Sequence, residues 1–102
     1  SELAALAKGQ FGDMIKAVVD IEQKVLAAGG ALHADEEALL IEEGSRQQNL
    51  WGINIYPDET EEKWIEFDSM INIRPSQENR SRNVENAKVR EKITNIVKNL
   101  VE

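Results

Sequence analysis

Trp51, Ile53 and Ile55 alternate with Gly52, Asn54 and Tyr56, and no other feature constrains the fold of this chain as much. Successive side chains of an extended strand point to opposite faces, so this run makes a strand with one apolar and one mixed face. Such a strand needs neighbours for its backbone groups and a covering layer for its apolar side. A second alternation follows. Ile65, Phe67, Ile71 and Ile73 share one parity, while Trp64, Glu66, Asp68, Met70, Asn72 and Arg74 share the other. The spacing predicts a strand over 64–74, stopped by Pro75. Ala38 to Glu43 reads as a further strand, with Gly44 to Asn49 and Pro57 to Lys63 as solvated turns.

Two segments carry helical spacing. Leu3, Leu6 and Ala7 begin the first. From Asp13 as a cap, Met14, Ala17, Val18, Ile21, Val25 and Ala28 follow at intervals of three and four, up to Gly29-Gly30 as a stop. The second runs from Asn86, a good capping residue, to about Val101, with Val89, Ile93, Ile96, Val97 and Leu100 as its buried stripe. The expected fold is α+β, one domain over residues 1–102. It is a two-layer sandwich of helix, three-stranded antiparallel meander and helix, both helices on one sheet face. The other sheet face, with Asn54, Tyr56, Trp64, Glu66, Asp68 and Met70, is a site floor or a partner surface. Trp64, Tyr56 and Met70 suit a homodimer contact.

A chain of 102 residues holds one hydrophobic core, and at 41% hydrophobic and 30% charged it is composed like a folded domain. With no cysteine, disulfides and thiolate zinc sites are excluded. No apolar run approaches the ~20 residues that cross a bilayer, and no secretory signal is evident, so the expectation is a cytoplasmic protein off the membrane. The net charge of −7 argues against non-specific nucleic-acid binding, which rests on neutralising phosphates. The charge is unevenly spread. Residues 1–68 hold 15 acidic and 5 basic side chains, residues 69–102 hold 4 and 7. The basic end suits an anionic ligand or the docking of a second copy.

The stretches Gly12–Glu22, Leu32–Asp35 and Asn49–Gly52 resemble a small uncharacterised prokaryotic family, a domain of unknown function. So, most specifically, does Ser69-Met70-Ile71-Asn72-Ile73-Arg74-Pro75-Ser76-Gln77-Glu78-Asn79-Arg80-Ser81. The resemblance covers nearly the whole chain. It implies a single α+β domain of unassigned activity and carries over no catalytic residues.

The densest cluster of candidate residues is the loop from Arg74 to Asn83. Arg74, Arg80 and Arg82, with Ser76 and Asn79, could cradle a phosphate or carboxylate beside a helix start. The competing reading pairs these arginines with the chain's own carboxylates, such as Asp68 or Glu66. His33 and Asp35 form a His-x-Asp pair, open to acid–base or metal chemistry. The plainer reading is a local hydrogen bond in a turn, with Asp35 capping backbone amides. Asp68 and Asn72 complete the polar candidates. No metal site and no cofactor are expected, since no calcium loop or glycine-rich phosphate loop is present. The expected function is a non-enzymatic domain acting by self-association and binding a polar or anionic ligand near Arg74–Asn83. One alternative is a small enzyme built from Asp20, His33, Asp68 and the arginines. Another is a nucleic-acid-binding or antitoxin-like regulator.

Overall fold

The computed structural model describes residues 14–60 and 63–101. The helical spacing expected around Leu3 to Ala7, and the Asp13 cap expected for the segment that follows it, lie outside them. The protein is an α+β fold with a four-stranded antiparallel sheet and two α-helices. Strands β1 (Ile15–Asp20) and β2 (Val25–Ala28) form a hairpin, followed by helix α1 (His33–Glu42). Then come β3 (Leu50–Ile55), the short β4 (Ile65–Glu66) and helix α2 (Ala87–Val101). The sheet order is β2-β1-β3-β4, with β1 and β3 central.

Two expected elements change type and a third is cut short, each for a physical reason. From Ile15 on, the helix expected over Asp13 to Ala28 is instead the β1–β2 hairpin. Ile15, Ala17 and Val19 face one layer and Val18 faces the other, so β1 is buried on both sides and its alternation is erased. The β-branched residues Ile15, Val18 and Val19 suit a strand. Asp20, fully buried, fixes the turn: its carboxylate accepts from the amides of Glu22 (2.8 Å) and Gln23 (2.9 Å) and from the Ser45 hydroxyl (2.6 Å).

The strand expected over Ala38 to Glu43 belongs to α1. That helix ends in a paired glycine cap: Gly44, at φ +107°, donates to the Ile41 carbonyl and Ser45 donates to Leu40. The strand expected over 64–74 shrinks to Ile65–Glu66. Beyond it the chain turns at Met70–Asn72 and lies against Gly52. The side-chain amide of Asn72 there takes the place of a neighbouring strand. Its oxygen accepts from Gly52 N–H (2.8 Å), and its nitrogen donates to the Gly52 carbonyl (3.0 Å) and the Arg82 carbonyl (2.9 Å).

The helices lie on opposite faces of the sheet rather than together. α2 brings Ile93, Ile96 and Val97 against Ile15, Ala17, Val19, Trp51, Ile53 and Ile55, and Trp64 and Val84 close this main core. Trp64 is therefore buried, not part of a surface contact. Leu100, expected in the buried stripe, is half exposed. On the other face Leu40 of α1 meets Val18 and Leu50. Asn86 caps α2 as its residue type suggests, accepting from the amides of Lys88 and Val89.

Candidate functional site

The mixed face of the sheet, where it emerges from under the start of α1, floors a cleft of about 420 Å3. Lys16 of β1, Asn54 of β3 and Glu66 of β4 share that face because their register pairs Lys16 with Asn54 and Asn54 with Glu66. Tyr56 and Asp68 extend it. His33, the first residue of α1, and Arg82, from the loop before α2, also line it. Leu32 (58% exposed) and Met70 (66% exposed) form an apolar rim.

Asn54 is 5% exposed, and its hydrogen bonds fix its orientation. The amide nitrogen donates to the Glu66 carboxylate (2.8 Å) and the Asp68 carbonyl (3.3 Å). Both partners only accept, so the amide cannot be reversed. Its oxygen is left buried with no donor among the described residues, an arrangement costly without a further partner. Glu66 also accepts from the Tyr56 hydroxyl (3.2 Å), and burial together with Glu66 pushes that phenol's pKa up.

His33 donates its Nε2–H to the carbonyl of Ile53 at 2.7 Å. The partner is a strand residue, not the local turn expected from sequence. Burial is the main reason its pKa lies below the usual imidazole value, so the ring is neutral at pH 7 and keeps Nδ1 as its acceptor. Arg82 makes an ion pair with Asp68 at 2.7 Å, with both side chains partly exposed. Asn72 holds the Arg82 carbonyl from beneath, which sets where that arginine enters the cleft.

Of the sequence-derived candidates, His33, Asp68 and Arg82 thus meet in one cleft, over the expected floor residues Asn54, Tyr56, Glu66 and Met70. The remaining loop and polar candidates do not line it. The Arg74 guanidinium stacks on the Trp51 ring 4.1 Å from its centre and donates to the Gln47 and Leu50 carbonyls, locking the chain into β3. Asn79 is buried, its amide donating to carbonyls of Asn72, Ser81 and Asn83 while its oxygen accepts from Glu85 N–H. The amides of Arg80 and Ser81 and the Ser81 hydroxyl do cradle an anion, and it is the Glu85 carboxylate. Those bonds hold the Glu85 pKa below the usual carboxylate range. Ser76 and the Arg80 side chain are exposed. Asp35 lines a different cleft, on the β2 side of α1, and Asp20 is spent on the hairpin turn.

Sequence reasoning named the mixed face as a site floor but did not single out Lys16 or Asn54. The available signal was Asn54 itself, an amide in the middle of an apolar strand. Glu36 belongs to an acidic pair, Glu36-Glu37, whose sequence reading is a solvated charge run; instead it points inward from α1 and is 4% exposed.

No described helix is long and apolar enough to cross a membrane. Comparison with curated proteins and with solved structures finds no match to the chain. A family model described as a protein of unknown function, DUF5674, matches residues 1–100, and the chain belongs to that family.

Proposed function

We propose that this domain acts by binding a small polar molecule in the cleft between His33, Asn54 and the Asp68–Arg82 pair. The supporting observation is the Asn54 side-chain oxygen, buried without a donor beside a polar cleft. A ligand N–H or O–H answers it, and the exposed half of Arg82 suits an anionic group on the same molecule. The ligand is thus polar with a donor and an anionic end, as in an amino acid or hydroxy acid. Self-association belongs to the same reading, with the apolar rim at Leu32 and Met70 as the contact.

A thermal-shift panel of amino acids, hydroxy acids, sugars and inorganic phosphate tests the ligand class. The reading expects stabilisation by molecules carrying both groups, and loss of that stabilisation in Asn54→Leu. Equal stabilisation of both proteins, or by phosphate alone, would contradict it.

A catalytic reading has one observation in its favour. His33 is neutral, oriented by a backbone carbonyl and electrostatically coupled to Asp68, the arrangement of a general base. Conversion of the bound molecule, followed by NMR, with a rate that falls on His33→Gln would support catalysis. An unchanged ligand spectrum in the presence of stoichiometric protein would rule it out.

A further inference from the structure

On the β2 side of α1 lies a second and larger cleft of about 630 Å3. Its walls are apolar, from Leu26 and Ala27 of the hairpin and Leu39 and Leu40 of the helix. Its charged lining, among the described residues, is acidic: Asp35, Glu36 and Glu43. Glu36 is the unusual member, since glutamate is almost never fully buried without a partner. One of its oxygens, Oε2, accepts from Gly30 N–H at 3.0 Å. The other, Oε1, is buried with no partner among the described residues.

The local chain is shaped around this side chain. A Cβ on residue 30 would stand 2.8 Å from Glu36 Cγ, so glycine there makes room for it. A glutamine would satisfy the Gly30 amide equally well, so capping that amide does not explain a carboxyl group.

We propose that this cleft is a ligand site of its own, separate from the His33–Arg82 cleft, taking an organic cation. The cation is a primary ammonium on a short aliphatic stem, with Glu36 as its counter-ion and Leu26, Ala27, Leu39 and Leu40 around the stem. A cation supplies what the orphaned Oε1 lacks, and the neighbouring acidic groups favour it further. The charged groups acting on Glu36 are Lys16 from β1, which opposes a cation, and Asp35 from α1, which favours one; Glu43, just past the end of α1, adds acidic charge to the same cleft. In the empty protein, burial pushes the Glu36 carboxyl up to about 8. At neutral pH it is therefore mostly protonated, and ammonium binding releases that proton to solvent.

The test uses the full chain and n-butylammonium, with n-butanol as the uncharged control. In amide-resolved NMR, the ammonium is expected to give saturable shifts at Ala27, Ala28 and Gly30, with affinity roughly tenfold or more above that of butanol. Glu36→Gln, which keeps the Gly30 contact, is expected to lose most of that difference. Calorimetry of the unaltered protein in two buffers of different ionisation enthalpy is expected to reveal proton release near pH 7, absent in Glu36→Gln. Equal binding of butanol, undiminished binding by the glutamine variant, no shifts, or shifts centred on His33 and Arg82 would each overturn the proposal.

Discussion

Three arginines in one loop divide into different roles once their partners are known. Arg74 is structural, because a planar fork that stacks on Trp51 and reaches two carbonyls has no lysine equivalent. Arg74→Lys is expected to cost about 1–2 kcal/mol in denaturant unfolding while leaving ligand stabilisation intact. Arg82 behaves the opposite way. Its ion pair with Asp68 is partly exposed, so Arg82→Ala should cost under about 1 kcal/mol in stability yet weaken ligand binding. Glu36 and His33 give stability a pH dependence from both sides. The Glu36 pKa is raised by burial, so its contribution is intact below pH 4.5 and is lost as pH rises through about 8. The His33 pKa is lowered, so its contribution is intact above pH 6.5 and is lost as pH falls through the folded value. Unfolding free energies measured across pH should show Glu36→Gln gaining on the unaltered protein, by a few kcal/mol at most, from pH 5 to 9.

At the scale of elements, misread segments trace to what each element buries. Helix α1 turns His33, Glu36 and Leu40 inward and leaves Leu39 and Ile41 exposed. Two of its three buried positions are polar, so no apolar stripe marks it as a helix. β1 is apolar on both faces and mimicked a helical stripe. β3 and α2 were legible because each is apolar on one side and polar on the other. The end of the expected third strand was illegible because a side chain, Asn72, does the work of backbone there. Asn72→Ala leaves the buried Gly52 N–H and carbonyl without partners and should destabilise by about 2–4 kcal/mol. Gly52 admits no side chain, since a Cβ would stand 2.6 Å from Ser69 Cβ. Gly52→Ala is expected to cost about 1–3 kcal/mol in the same measurement. Gly44→Ala has open space but a positive φ, so a smaller loss of about 1 kcal/mol is expected from backbone strain alone.

Across the whole molecule, the sheet separates two chemistries. One face carries the main apolar core under α2, and the other carries α1 with a cleft on each flank. The α+β class was readable because one clean strand alternation and one capped amphipathic helix suffice to imply it. The layer order was not, since parity within a strand does not say which helix covers which face. The candidate site was half readable. His33, Asp68 and Arg82 were named, but only the fold brings residues so far apart in sequence together around Asn54. Self-association through the Leu32–Met70 rim is checked by light scattering, where a mass of 11.5 kDa at all concentrations would exclude it. The central claim is that the Asn54 oxygen awaits a ligand donor, and the side-chain amide resonances of Asn54 report on this directly. In a titration with a stabilising amino or hydroxy acid, they should shift in step with His33 and the Arg82 Nε–H, saturating at one molecule per chain. If those resonances stay fixed while the ligand saturates elsewhere, the cleft is not the binding site.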